Sequence, residues 1–378
     1  MALHTRWKLL AVIAAGVVLV GGLLLWLNRP SLGPFTGFPD GTEAMGDDEG
    51  DTEVGESTGD SLDDVELGDV NAMVATPDGR LGVWGSGWGL VADADGVVRF
   101  GTDTDEHVRL VPGPDDGAYL VSVCDLERVD ADGRRTRLVP REELCPVDEW
   151  AEIYGESGAA RTFEKIGPIV DLDVSSDGAL YLADAAGNRI LRYADERLET
   201  IAGSGGWTRD IEDGGKALDA DFKPERIAVG PDGRVFLLAG RTEQDATMIL
   251  YRINPDGTIE AVGGGGSAVP TDGARATEVE LLMPTDIAAD ESGNVYVGLN
   301  CCPDESDGFR GAVKIAPNGT LDVMFESGLD APEDYQEQDP FIDGMAANDE
   351  HLFAFLAASA KESEYHGKVV RIPMGNGD

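Results

Sequence analysis

Hydrophobic and polar residues alternate in short runs after residue 70, and turn residues separate the runs. The plainest stretch is 169–206, in which IVDLDV, ALYLAD, RILRY and LETIAG follow one another. Asp177-Gly178 separates the first two runs, and the letters AGN separate the next two. Alternation with a period of two predicts half-buried strands, and an Asp-Gly pair predicts a tight turn. The stretch therefore predicts a sheet of four short antiparallel strands.

The same unit recurs with a period of roughly 40 residues. Its first turn returns at Asp78-Gly79, Asp115-Asp116-Gly117, Asp177-Gly178, Asp232-Gly233 and Ser292-Gly293, with a degenerate copy at Asp349-Glu350. One such sheet has two apolar faces and buries neither alone, whereas radial stacking of several sheets buries both. We therefore predict an all-β fold, a six-bladed β-propeller over residues 70–378.

The last unit, from Phe341, supplies only three strand patterns. A propeller whose last blade lacks a strand is closed by a segment from the N-terminal side. We expect this segment at 62–67, directly before the first unit, although LDDVEL is acidic for a strand.

The third unit carries a family resemblance. LYLADAAGNRILRY, which contains Asp184 and Arg189, resembles the signature of NHL repeats, and the Gly- and Ala-rich connectors 212–233 and 271–293 are similar to those of bacterial NHL propellers. The resemblance is strong over 167–328, but units four and five depart from the pattern after their second strand. It implies an NHL propeller of bacterial origin. The excess of Arg (22) over Lys (7) further indicates a GC-rich, actinobacterial source.

Residues 9–27 form a run of 19 uncharged, almost wholly apolar residues. As a helix, this run is about 28 Å long, which matches the hydrocarbon thickness of a bilayer. Arg6 and Lys8 precede it, whereas Arg29 is the only basic residue between the run and the first repeat, so residues 1–8 are expected in the cytoplasm. We expect an uncleaved signal anchor with an extracellular propeller. A cleaved signal peptide is the alternative, but the run is long and WLNRP is a poor cleavage site.

Residues 28–69 are expected to form a disordered acidic linker. Positions 40–69 contain 13 acidic residues and no basic one, with Gly, Ser and Thr between them. Such a segment buries too little apolar surface to offset its ordering entropy, and its like charges extend it.

The whole chain is strongly acidic, with 72 acidic and 29 basic residues and a net charge of −43. Nucleic acid is not expected as a partner, because phosphate neutralisation needs clustered Lys and Arg. Cations and basic partners fit the charge, and so does adaptation to an external or salty medium. We expect contact with the membrane through residues 9–27 and an extracellular protein, peptide or glycan ligand. The sequence does not indicate an oligomeric state.

All four cysteines follow the apolar run, and an even number in an oxidising compartment favours disulfides. We expect Cys124 to pair with Cys145, because these two residues bracket the second half of unit two. Cys301 and Cys302 are adjacent, which leaves open a vicinal disulfide, two free thiols or bridges to the other pair. A metal site is not expected there, since adjacent cysteines without a nearby His do not match ligand spacing.

The chain has no HExxH motif and no phosphate-binding loop, and its four His residues share no spacing. We therefore expect a non-catalytic binding or sensor module without a cofactor. Enzymes with a six-bladed propeller generally rely on a metal at the central channel. A metal-dependent lyase or lactonase-like hydrolase is the alternative, and Ca²⁺ or Zn²⁺ at the channel is left open.

One position near the start of each innermost strand is mostly charged. Seven residues before the first-turn Gly, or its equivalent, stand Ala72, Arg109, Asp171, Arg226, Asp286 and Asp343. These positions are predicted to form a ring at one mouth of the channel. The charges could grip a zwitterionic or peptide-like ligand, or they could satisfy one another across blades. We expect Asp184 and Arg189, by contrast, to brace a turn.

The apolar run generates the first prediction. The intact chain should remain in the membrane fraction, and protease added to protoplasts should digest the propeller, because the flanking charges favour a cytoplasmic N-terminus. Western blotting of fractions with and without protease measures this. A mature protein that begins near residue 30 and is recovered from the medium would show that the anchor is cleaved.

Overall fold

The computed structural model describes residues 66–67, 72–75, 81–85, 88–93, 96–101, 109–112, 118–121, 126–129, 135–139, 166–167, 169–206, 211–240, 247–301, 309–327, 340–347, 351–359 and 365–374. The chain divides into two units, 1–49 and 50–378, and every described residue belongs to the second. The run 9–27 and most of the segment 28–69 lie outside the described residues. Across the described ranges, no helix has the length and apolar character needed to cross a membrane.

The described strands form six antiparallel sheets, numbered here in chain order. Sheet 1 consists of β2 (Ala72–Ala75), β3 (Leu81–Gly85), β4 (Trp88–Asp93) and β5 (Gly96–Gly101). Sheet 2 consists of β6 (Arg109–Pro112), β7 (Ala118–Val121), β8 (Leu126–Val129) and β9 (Arg135–Arg137). Sheet 3 consists of β10 (Ile169–Val174), β11 (Leu180–Asp184), β12 (Arg189–Ala194) and β13 (Arg197–Ala202).

The other three sheets carry additional short strands. Sheet 4 consists of β14 (Gly215–Lys216), β15 (Pro224–Val229), β16 (Val235–Gly240), β17 (Thr247–Ile253) and β18 (Thr258–Gly263), with β20 (Leu281–Leu282) beside β17. Sheet 5 consists of β19 (Ala274–Arg275), β21 (Pro284–Ala289), β22 (Val295–Asn300), β23 (Arg310–Ile315) and β24 (Thr320–Glu326). Sheet 6 consists of β1 (Glu66–Leu67), β25 (Phe341–Ala347), β26 (His351–Ser359) and β27 (Tyr365–Pro373).

The first long strands of successive sheets contact one another. β2 contacts β6, β6 contacts β10, β10 contacts β15, β15 contacts β21, β21 contacts β25, and β25 contacts β2. The remaining long strands of each sheet follow outward in chain order. The molecule is therefore an all-β propeller, and this part of the prediction is confirmed.

The predicted first turns follow from backbone chemistry. Gly178 has a φ of 83° and donates its N–H to the Ser175 carbonyl at 2.8 Å. Gly233 and Gly293 occupy the same place in sheets 4 and 5, with φ of 71° and 80°. A residue with a Cβ is disfavoured at such angles, so glycine fixes where each hairpin turns.

The hydrophobic core lies between neighbouring sheets. One cluster joins sheet 3 to sheet 4 through Leu237, Ile190 and Phe222, all essentially fully buried. Another joins sheet 6 to sheet 1, where Phe355 packs in one cluster with Val83. Each sheet therefore depends on its neighbours to bury its faces, as radial stacking requires.

Sheet 6 is completed by a segment from the N-terminal side. Strand β1 pairs antiparallel with β27, with Glu66 opposite Lys368 and Leu67 opposite Gly367. The closing strand therefore falls inside the expected segment 62–67, at the end of the range assigned to the linker.

The long connectors before β15 and β21 follow similar paths. Each adds a two-residue strand to the outer edge of its sheet, so β14 pairs with β18 and β19 pairs with β24. Two residues before these short strands, Asp213 accepts the N–H of Ala261 at 2.8 Å, and Asp272 accepts the N–H of Val323 at 2.7 Å. These carboxylates thus accept hydrogen bonds from backbone N–H groups at sheet edges where no strand pairs with them.

Packing around the closing strand generates a stability prediction. A Cβ on Gly367 would lie 2.1 Å from Phe355 Cζ and 2.8 Å from the Leu356 carbonyl oxygen. Gly367→Ala should therefore lower the free energy of unfolding by about 1–3 kcal/mol or more, measured by urea denaturation.

Gly344→Ala, in the same sheet, is the matched control. Its Cβ would meet no atom closer than 3.8 Å, so it should change stability by less than about 0.5 kcal/mol. Equal losses in both variants would contradict the packing at Gly367.

Candidate functional site

The structure brings together four of the five predicted ring residues. Asp171, Arg226, Asp286 and Asp343 lie near the starts of β10, β15, β21 and β25, at or beside irregularities in strand register. A bulge bends a strand and redirects its side chains, which explains how these residues turn toward the neighbouring sheet. Arg109 begins β6, but its side chain lies outside the described part of the structure.

The carboxylates bind the backbone of the next sheet. Asp171 Oδ2 accepts the N–H of Ile227 at 2.7 Å, so sheet 3 is tied to sheet 4. Asp286 Oδ2 accepts the N–H of Met345 at 2.7 Å, which ties sheet 5 to sheet 6. The second oxygen of Asp286 accepts the N–H of Ile287 at 2.9 Å. These bonds favour the interpretation that the ring charges hold neighbouring sheets together.

Arg226 makes the corresponding link between sheets 4 and 5. Its Nε donates to the Thr285 carbonyl at 3.0 Å and lies 3.9 Å from Asp286 Oδ1. Its Nη1 donates to the carbonyl of Glu225 at 2.8 Å. Burial disfavours the charged guanidinium, but the carboxylates around it, of which Asp171 is the strongest, outweigh this cost and raise the pKa of Arg226.

Asp173 is a member of this group that the sequence analysis missed. It lies two residues after Asp171, and its two oxygens accept the N–H groups of Val229 and Val174, each at 2.7 Å. The matching positions in sheets 4 and 5 are Ala228 and Ala288. The alternation in IVDLDV assigns both aspartates to a polar face, so only the comparison with alanine in the other units marks Asp173 as unusual.

Two of these carboxyls have strongly perturbed acidity. Burial raises the pKa of Asp173 to about 7. Burial and then the Asp171 charge raise the pKa of Asp286, also to about 7, and Arg226 opposes this shift. Close carboxylates share one region of low dielectric, so their charges disfavour one another.

Asp171, Asp173, Arg226, Asp286 and Asp343 are called the axial charge cluster below. Its described side chains comprise four carboxyl groups and one guanidinium group. The side chains of Arg226 and Asp286 remain 34% and 21% exposed. The cluster therefore combines an excess of negative charge with access to solvent. Within the described ranges, no group of three His, Cys, Asp or Glu residues is arranged to hold a metal ion.

Asp184 and Arg189 brace the turn between β11 and β12, as predicted. Asp184 is fully buried and accepts a bond from Arg189 Nε at 2.9 Å. Its other oxygen accepts the N–H groups of Gly187 at 2.8 Å and Gly167 at 3.1 Å. A buried carboxylate with this many donors is a structural element of the turn.

Cys301 is buried and disulfide-bonded. Cys124, Cys145 and Cys302 lie outside the described residues. The pairing of Cys124 with Cys145 stays a prediction, and so does the choice of partner for Cys301.

No protein-family model matches this chain, and no curated protein matches it. Among solved structures, virginiamycin B lyase from Staphylococcus aureus is 14% identical, with 81% of this chain and 98% of that chain covered and a TM-score of 0.43. A putative gluconolactonase is 13% identical, with 81% and 90% covered and a TM-score of 0.46. A luciferin-regenerating enzyme is 13% identical, with 82% and 94% covered and a TM-score of 0.46. Similarity at this level carries no functional conclusion.

The raised acidities predict a pH dependence of stability. Between about pH 3.8 and 7, the folded chain keeps protons on Asp173 and Asp286 that the unfolded chain has released. The free energy of unfolding should therefore fall as pH rises through this window, by on the order of 1–3 kcal/mol. Urea denaturation at pH 4.5, 6 and 7.5 measures the slope.

Variants separate this effect from the general repulsion of an acidic chain. Asp286→Asn cannot titrate at this position, so it should reduce the slope to the part that Asp173 contributes. Asp322→Asn removes an exposed carboxylate that pairs with Lys314 at 3.7 Å, and it should leave the slope unchanged. Equal slopes in the wild type and Asp286→Asn would contradict the assignment.

Proposed function

We propose that this chain is a six-bladed propeller of the NHL type, anchored in the membrane by residues 9–27, that binds an extracellular partner without catalysing a reaction. The count of six is supported by the six described sheets and by the contact of β25 with β2. The NHL type is supported by the bonded pair Asp184 and Arg189 in sheet 3. The membrane location rests on the apolar run and its flanking charges.

The partner is proposed to bind at the axial charge cluster. The observation that carries this proposal is that the cluster stays partly exposed although its members bind neighbouring sheets. Backbone N–H groups bind Asp171, Asp173 and Asp286, so an incoming ligand would meet the cluster at the exposed parts of Arg226 and Asp286. Asp343 also lies close enough to contribute to the electrostatic field on Arg226.

The excess of carboxylates in the cluster favours a ligand that carries a positive charge. A primary amine or guanidinium can bind several carboxylate oxygens at once, and the cluster's net negative charge attracts cations. We therefore propose a peptide or protein segment that presents its N-terminal amine or a lysine side chain. Arg226 provides the complementary charge for a nearby carbonyl or carboxylate of the same segment.

A matched pair of variants tests this proposal. Asp343→Asn removes a carboxylate from the cluster, whereas Asp232→Asn removes one from an exposed turn with a positive φ that Asn tolerates. The full-length wild type and the Asp232→Asn control should recover the same partner from envelope proteins. Asp343→Asn should recover at least about fivefold less, because charge-assisted hydrogen bonds contribute about 1.5–3 kcal/mol.

The melting temperatures of all three proteins serve as the control for folding. Undiminished recovery by a folded Asp343→Asn protein would remove the cluster as the binding site. Metal analysis of the purified wild type distinguishes the binding module from the alternative function. A stoichiometric Ca²⁺ or Zn²⁺ would favour a metal-dependent lyase or hydrolase.

A further inference from the structure

A cavity of about 170 Å³ opens between sheets 4 and 5. Its polar lining includes Arg252, Arg275, Thr277 and Asn318, and its apolar lining includes Phe236 and Ile315. The turns on either side of it, at Gly293 and Gly319, follow the ends of β21 and β23. The axial charge cluster lies at the starts of the first strands, so the cavity belongs to the opposite end of the sheets.

An aromatic residue at one position of the second strand shapes part of this cavity. In sheet 2, this residue is Tyr119, whose hydroxyl donates to the Gly178 carbonyl in the first turn of sheet 3 at 3.1 Å. In sheet 3, it is Tyr181, and a Cβ on Gly233 of sheet 4 would lie 3.1 Å from its hydroxyl oxygen.

Sheet 4 has phenylalanine at this position. Phe236 lies opposite Ala228, as Tyr181 lies opposite Asp173, and it faces the first turn of sheet 5 at Gly293. Because phenylalanine has no hydroxyl, nothing from this ring fills the space beside Gly293. The missing hydroxyl therefore leaves open the part of the cavity beside Gly293.

Two guanidinium groups line the cavity, and one of them, that of Arg252, forms an ion pair with Glu260. Three donors hold Glu260 Oε1, including Arg252 Nη2 at 2.8 Å and Asn254 Nδ2 at 2.8 Å. Arg252 Nη1 has no hydrogen bond to any residue within the described ranges. Arg275 is exposed and has no ion pair there either. An uncompensated arginine is uncommon in a chain with a net charge of −43.

The corresponding groove between sheets 3 and 4 also has two cations, Arg192 and Lys216, but its other lining side chains differ. The connector positions of Arg275 and Thr277 are occupied there by Lys216 and by Leu218, which is 53% exposed. The turn position of Asn318 is occupied by Asp256. An acidic turn and an apolar side chain do not favour an anion, so the feature is specific to sheets 4 and 5.

We propose that this cavity binds a small carboxylate that carries one apolar ring. The volume is close to the roughly 150 Å³ that accommodates a benzene-sized molecule. The carboxylate would pair with the guanidinium of Arg275 and the open edge of Arg252, and the ring would pack against Phe236 and Ile315. This site is separate from the proposed partner site at the axial charge cluster.

Benzoate is the probe, titrated by calorimetry into the full-length protein at fixed salt. We expect a dissociation constant of about 0.1–5 mM, as befits a ligand with few non-hydrogen atoms. Benzamide has nearly the same shape without the charge and should bind at least about tenfold more weakly. Equal binding of the two compounds, or no detectable binding of benzoate at about 20 mM, would overturn the proposal.

Two variants locate the site. Phe236→Tyr adds the missing hydroxyl and should weaken benzoate binding at least about tenfold without lowering the melting temperature. Arg275→Gln should weaken it about tenfold as well, whereas Arg197→Gln, which removes an exposed arginine from β13, should leave it unchanged. If Phe236→Tyr and Arg275→Gln both bind benzoate as the wild type does, the cavity is not the site.

Discussion

The burial of two apolar faces per sheet is the constraint on which the rest of this structure depends. Leu237 of sheet 4 shares a cluster with sheet 3, whereas Leu238, the next residue, shares a cluster with sheet 5. The pleat sends successive side chains to opposite faces, so one strand contributes to two cores. A single sheet therefore cannot bury its apolar faces without its neighbours. The pairing of β1 with β27 consequently stabilises the neighbouring sheets as well as sheet 6.

Stacking leaves strand edges whose N–H groups face no partner strand, and aspartates satisfy several of them. On the inner edge of β15, Ile227 and Val229 donate to carboxylates of sheet 3. On the outer edges of β18 and β24, Asp213 and Asp272 accept the N–H groups of Ala261 and Val323. An unpaired edge is both an energetic cost and a site for aggregation, and a charged acceptor reduces both. Part of the chain's acidity thus has a structural origin.

The repeat predicts the fold well because turn chemistry and alternation are local. Gly178 and its equivalents specify hairpins, and the three-strand pattern after Phe341 specifies a missing partner that β1 supplies. The axial cluster is only half predictable. Spacing locates Asp171, but the bulges that aim these side chains, and the role of Asp173, arise from contacts between sheets. The effect of having Phe236 where sheet 3 has Tyr181 likewise depends on the turn of the neighbouring sheet, so it cannot be predicted from the sequence alone.

Ligand binding at the two ends of the propeller consequently differs in whether it disturbs structural hydrogen bonds. At the axial cluster, the same carboxylates that attract a cation also hold Ile227 and Met345 in neighbouring sheets, so recognition there is coupled to the spacing of the sheets. A ligand that drew Asp171 away would leave a buried N–H without an acceptor, which costs about 1–3 kcal/mol. Recognition without that cost must leave these backbone bonds in place and use the exposed parts of Arg226 and Asp286. Beside Phe236, by contrast, no structural bond has to be exchanged, so a ligand can occupy the space without disturbing the stack.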